Sequence, residues 1–200
     1  MGCQHGRIVR ACRLLWGVRR DYVYLSNILG FTDIQAATIA GVFSACLYLL
    51  PTFSGALADK IGFRKSMLLA FTLLSLGYLG LGLFPNFLAS TGLVEYGYVT
   101  KFTGLQESGY RYGIIPIMIL IIVGGSFIKS VISGTVAKET DEKNRARGFA
   151  IFYGMVNIGA FSGKVLVTPL RDAMGHEGMI VLNYFSAGMT FLALIAIYLF

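Results

Sequence analysis

Residues 55–65 read Gly55-Ala56-Leu57-Ala58-Asp59-Lys60-Ile61-Gly62-Phe63-Arg64-Lys65, a short charged turn between two long apolar runs. The apolar windows on either side, 35–58 and 66–87, are each about 20 residues long. At 1.5 Å per residue, each covers a hydrocarbon core of about 30 Å. The apolar residues run all round both windows instead of forming one stripe, so these are helices made for lipid and not for a soluble bundle. The turn therefore joins two bilayer-spanning helices.

Outward from this hairpin the same pattern recurs at 112–137, 147–170 and 179–200. Composition agrees, because the 200 residues are 56% hydrophobic and only 14% charged, with a mean hydropathy of +0.69. Soluble chains carry about 25% charged residues. The fold class is an all-α membrane protein, a polytopic helix bundle, and no strand is required. Twenty-five glycines against four prolines suit helices packed closely through small residues. Cys3, Cys12 and Cys46 lack metal-ligand spacing, and His5 and His176 complete no cluster, so neither a zinc site nor a disulfide framework is expected. No nucleophile and base pair or phosphate loop stands out, so the sequence predicts neither an enzyme nor a bound cofactor.

The net charge of +7 is explained by where the cations lie. Lys60, Arg64, Lys65, Lys138, Lys143, Arg145 and Arg147 fall in two loops on one side, against Lys101, Arg111 and Arg171 on the other. Basic loops face the cytoplasm, which places 59–65 and 138–147 inside a plasma (inner) membrane and makes nucleic acid an unsuitable partner. The connection 88–111 becomes an external loop with room for a short interfacial helix, its Tyr96, Tyr98, Tyr110 and Tyr112 suited to the headgroup zone. Residues 1–21 break the pattern. Arg7, Arg10, Arg13, Arg19 and Arg20 each cost about 2.5 to 3.5 kcal/mol at a helix centre. Three readings stay open there: an interfacial basic helix, a targeting peptide, or an altered or mis-started first helix.

The 55–65 turn matches G-x-x-x-D-[RK]-x-G-x-[RK]-[RK] at every specified position and so resembles the major facilitator superfamily, whose members carry this motif between helices 2 and 3. The resemblance implies that Gly55, Asp59, Lys60, Gly62, Arg64 and Lys65 form a gating motif, docking against the other half of a transporter. Phe152-Tyr153-Gly154-Met155-Val156-Asn157-Ile158-Gly159-Ala160 is similar to the F-Y-x-x-I-N-x-G-S signature of proton-coupled oligopeptide transporters, departing at Val156 and Ala160. Gly124-Gly125-Ser126-Phe127-Ile128-Lys129 stands where those proteins carry a glycine-rich turn and a lysine. Ser130 replaces the proline that follows, and Ala137-Lys138-Glu139 replaces G-D-Q. Leu29-Gly30-Phe31-Thr32-Asp33 and Gln35-Ala36-Ala37 resemble their junction of helices 1 and 2. The implied domain is the N-terminal six-helix half, 22–200, with an incomplete or altered first helix lacking the E-x-x-E-R motif.

Lys129 lies roughly 12 Å along a helix from the charged turn at Lys138, too far for easy snorkelling. It must face protein or water. No acid lies deep in these spans, so its anionic partner is expected outside this chain. The resemblance implies a role in proton and substrate coordination. Asn157 and Lys164 share roughly one helix face, and with Tyr153 they complete the expected substrate and proton pathway; Asn157 is equally suited to bridging helices, and Lys164 to snorkelling. Gly159 and Gly163 read as a close-packing pair. Arg145 and Arg147 are expected gate partners of Asp59. The resulting expectation is a proton-coupled symporter of peptide-like solutes working by alternating access, its partners being the lipid bilayer, a small-molecule substrate and a missing C-terminal six-helix half. The alternatives are a facilitator for a non-peptide substrate, a half-transporter subunit, or a transport-incompetent fragment.

Overall fold

The computed structural model describes residues 21–97, 99–105, 107–141 and 143–199, and of 133, 139, 164, 166–168, 170–172 and 176 the backbone alone. The readings offered for 1–20, and any role of the Lys164 side chain, lie outside the described residues. Residues 21–27 are helical (α1). There follow α2 (Asp33–Ile61), α3 (Phe63–Ser90), a two-stranded hairpin of β1 (Val94–Glu95) and β2 (Lys101–Phe102), a 3-10 turn (Gly109–Gly113), α4 (Ile114–Glu139) and α5 (Arg145–Leu199).

Among the described residues, four helices are long and apolar enough to cross a membrane: Asp33–Ile61, Phe63–Ser90, Gly109–Lys138 and Glu177–Leu199. These agree with four of the five expected spans. The fifth, 147–170, lies in the first part of α5. In place of the expected loop before 179, α5 runs on and breaks at one residue, Gly175 (φ 58°, ψ −127°), a conformation open to glycine and hostile to other residues.

Local chemistry sets the helix ends. Thr32 and Gln35 form a reciprocal capping box that starts α2. At the other end Gly62 (φ 95°) donates its N–H to Ala58 O at 2.9 Å and at once serves as the N-cap of α3. One glycine thus separates two membrane helices.

The packing order is α2, α4, α3, α5, with α4 between α2 and α3. The α3–α4 seam is built on small residues: a Cβ on Gly77 or Gly80 would meet Ile121 or Ile117, and one on Gly124 would meet Ala70 O and Leu74. The second part of α5 runs antiparallel to α3, through Tyr184 against Gly82, Ser75 to Ala187 O, and Arg64 to Tyr198 O. Outward-facing Val42, Leu49, Phe53, Leu76 and Leu83 are exposed, as side chains meant for lipid should be.

The main core lies at the end where α1 meets the hairpin, with Leu25, Ile28, Leu29, Leu88, Leu105 and Ile114 essentially inaccessible. Here the structure corrects the expectation that no strand is needed. Val94–Glu95 and Lys101–Phe102 form an antiparallel pair, Val94 opposite Phe102 and Glu95 opposite Lys101, because a connection this long leaves backbone groups that helices cannot satisfy. The short interfacial helix expected in 88–111 is a 3-10 turn at Gly109–Gly113.

Candidate functional site

Lys129 projects from the middle of α4, one helical turn beyond Gly125. A Cβ on Gly125 would stand 3.0 Å from Leu47 Cδ2, so this glycine lets α2 approach closely. Lys129 Nζ donates to Leu47 O at 3.3 Å and sits 4.2 Å from the centre of the Tyr48 ring. The next residue grips the same helix: Ser130 Oγ donates to Pro51 O at 2.5 Å, with Ser126 O at 3.2 Å as a second acceptor, and lies 3.2 Å from Ser54 Oγ. A polar strip therefore crosses the α2–α4 interface. Within the chain a backbone carbonyl and an aromatic face supply Lys129 with hydrogen bonding and cation–π attraction.

Leu47, Tyr48 and Pro51 were not singled out from the sequence. The available signal was Pro51 itself, one of only four prolines and inside an apolar run. A proline lacks the N–H that would bond the carbonyl four residues earlier, and that carbonyl belongs to Leu47.

The other expected pathway residues lie on the first part of α5. Tyr153 is exposed, with its ring 5.2 Å from that of Phe152 and 6.4 Å from that of Phe149. Asn157 turns back on its own helix, its carboxamide donating to Tyr153 O at 2.8 Å. At Gly159 and Gly163, the expected close-packing pair, an added Cβ would meet nothing within 4 Å among the described residues.

In the gating motif, Asp59, Lys60, Gly62, Arg64 and Lys65 are exposed and Gly55 is half-buried, with Ser130 3.5 Å from where its Cβ would be. Arg64 donates to Tyr198 O at 3.1 Å, placing a cation on the C-terminal carbonyls of α5 where the helix dipole favours it. Lys138 Nζ lies 5.5 Å from the centre of the neighbouring Phe63 ring. Arg145 and Arg147 are exposed, and the one ion pair among the described residues is Lys101 with Glu95 at 4.0 Å. The structure thus does not pair Asp59 with either arginine.

At the opposite end several side chains grip the C-terminus of α1. Tyr24 donates to Leu81 O at 2.6 Å, Tyr96 to Ile28 O at 3.0 Å and Arg111 to Gly30 O at 3.5 Å. The Arg111 guanidinium also lies 4.9 Å from the Phe31 ring centre and 5.2 Å from that of Tyr112. Burial pushes the Tyr96 phenol well above its ordinary range. Tyr22 donates to Asp33 at 2.7 Å, a bond that raises its own pKa. The loop tyrosines expected to seek headgroups divide: Tyr96 bonds Ile28 O just past α1, Tyr112 is exposed with its ring edge-on to Phe31, Tyr110 is exposed, and Tyr98 lies outside the described residues.

The family profile described as Major Facilitator Superfamily matches residues 21–200. Dipeptide and tripeptide permease A of Erwinia pyrifoliae is 27% identical over 150 residues, covering 74% of this chain and 26% of the relative. Peptide transporter YePEPT of Yersinia enterocolitica is 29% identical over 145 residues, 69% of this chain and 23% of its own length. Dipeptide and tripeptide permease A of Edwardsiella piscicida is 29% identical over 152 residues, with 74% and 26% covered. The chain spans about a quarter of the length of the curated relatives it matches.

Proposed function

The chain belongs to the major facilitator superfamily, and from that premise we propose that it forms the N-terminal half of a proton-coupled symporter for peptide-like solutes. One observation carries the substrate class: relatives named for dipeptide, tripeptide or peptide transport align with about three quarters of the chain. The structure supports a coupling site by placing the Lys129 ammonium in mid-helix at the α2–α4 interface. In this reading a second six-helix half, 1–21 with the first helix, and 22–200 together enclose a midplane site that rocking exposes to each side in turn. A proton or a substrate carboxylate that changes the charge around Lys129 then favours one state over the other.

Tyr153, Asn157 and Lys164 are the proposed pathway residues of α5. Gly55, Asp59, Lys60, Gly62, Arg64 and Lys65 form the proposed gate at the cytoplasmic face of the plasma membrane, with Arg145 and Arg147 beside it. Such a protein acts by binding and rocking and has no enzymatic step.

The test is accumulation of a labelled dipeptide by inverted or right-side-out vesicles carrying the full protein, under an imposed proton gradient. Accumulation that a protonophore abolishes, and that Lys129→Ala removes, is the expected result. Equal accumulation by the Lys129→Ala protein would sink the proton-coupling role. Proteoliposomes holding only these 200 residues should accumulate nothing. A non-peptide substrate is the second reading, favoured by the departures from the peptide-transporter pattern at Ser130, Ala160 and 137–139; competition by sugars or organic anions, and not by tripeptides, would establish it.

A further inference from the structure

Pro51 and Lys129 lie on different helices, yet the backbone connects them. Within α2 the Leu47 carbonyl would accept from the N–H of residue 51, and proline has none. In a membrane no bulk water replaces the missing donor, and an unsatisfied carbonyl is costly. The structure fills that gap with Lys129 Nζ at 3.3 Å, while the Tyr48 ring covers the same ammonium at 4.2 Å. One turn further along α2, the Pro51 carbonyl takes the Ser130 hydroxyl at 2.5 Å. Successive residues of α4 thus hold successive turns of α2, and Gly125 admits the approach.

We propose that Pro51 is a positioning residue for Lys129: it leaves the Leu47 carbonyl open as a seat for the ammonium, and the seated ammonium in turn replaces the helical donor that α2 lacks. Any ligand that draws the ammonium away, an anionic group above all, leaves α2 uncapped at its proline. Engagement of Lys129 is thereby linked to the conformation of α2. The seat stands on this geometry alone and does not require that the protein transport peptides.

Leu47-Tyr48 is the one Leu-Tyr step in the sequence. Carbonyl-13C leucine combined with 15N tyrosine therefore isolates the Leu47 carbonyl in a nitrogen-filtered solid-state NMR spectrum of the protein in bilayers. A hydrogen-bonded carbonyl resonates downfield of a free one. Lys129→Met is expected to move the signal upfield, and adding Pro51→Ala should return it, because an alanine in place of the proline restores the helical N–H. Lys129→Arg keeps a donor and should hold the wild-type position, which covers the case in which the methionine variant does not fold. An unmoved signal in Lys129→Met overturns the proposal. So does an upfield shift in Lys129→Arg, or a double variant shifted as far as the single one.

Discussion

Gly124 and Gly159 both sit in apolar helices, but an added methyl group should affect them in opposite ways. At Gly124 an ideal Cβ stands 2.9 Å from Ala70 O, 3.0 Å from Leu74 Cγ and 3.1 Å from Leu74 N. Two of the three atoms are α3 backbone, which cannot rotate aside. Moving from 2.9 Å to the 3.4 Å of ordinary contact requires α3 and α4 to separate by about half an ångström along the seam. Overpacking of this kind costs about 1–3 kcal/mol, offset by about 1 kcal/mol of better helix propensity in alanine. Gly159 has nothing within 4 Å, so Gly159→Ala keeps the propensity gain alone. The difference between the two variants isolates the overpacking, about 1–3 kcal/mol. Gly125→Ala should fall between them, since its obstacle is the movable end of Leu47. The assay is reversible unfolding in mixed lipid and detergent micelles, followed by helix content. Equal midpoints for Gly124→Ala and Gly159→Ala would refute this α3–α4 packing.

Gly62→Ala, at φ 95°, should lose about 1–3 kcal/mol in the same titration, and no loss would deny that the turn is strained. Arg64→Gln should speed hydrogen exchange in the last turn of α5 while Asp59→Asn leaves it unchanged; an effect of equal size from both would remove the Tyr198 contact as its cause. Tyr96 has a raised pKa in the folded protein and its ordinary value of 10.0 when unfolded. Its contribution is therefore complete below about pH 10 and is lost as pH rises above that. Tyr96→Phe should flatten the fall in stability between pH 9.5 and 11.5 (roughly the onset of phenol ionisation and beyond), and an unchanged slope would count against burial of the phenol. Tyr24→Phe removes the bond to Leu81 O and should cost about 0.5–1.5 kcal/mol, read from the same unfolding curves.

The spans were legible because a bilayer imposes one length and one composition on everything that crosses it. The 55–65 turn was legible for a related reason, its charges being excluded from lipid. What the sequence hid was settled by contacts between distant residues. The hairpin at 94–102 has strands of two residues each, too short to show any alternation. The break at Gly175 replaces a loop because one glycine can adopt φ 58°, and 25 glycines offer no hint of which one does so. Lys129 was recognisable as a charge in apolar surroundings, but its contact with the Leu47 carbonyl depends on how α2 and α4 pack. Gly159 and Gly163 show a packing pattern in sequence that no described residue of this chain meets within 4 Å.

The two ends of the bundle are tied differently. The end of α1 is fixed at three separate places, to α3 by Tyr24, to the hairpin region by Tyr96, and to the start of α4 by Arg111, around side chains almost wholly buried. At the opposite end the cross-helix ties include Arg64 to Tyr198 O and Lys138 over Phe63, each made by an exposed cation. That end also has a smaller core of its own, Ala58, Ala70, Phe127 and Val131 with Phe63 and Met67 packed against them, so each end of the bundle is closed by buried side chains and only the polar ties differ in exposure. The single-residue joint at Gly62 has no slack, so a tilt of α2 there must carry the start of α3 with it.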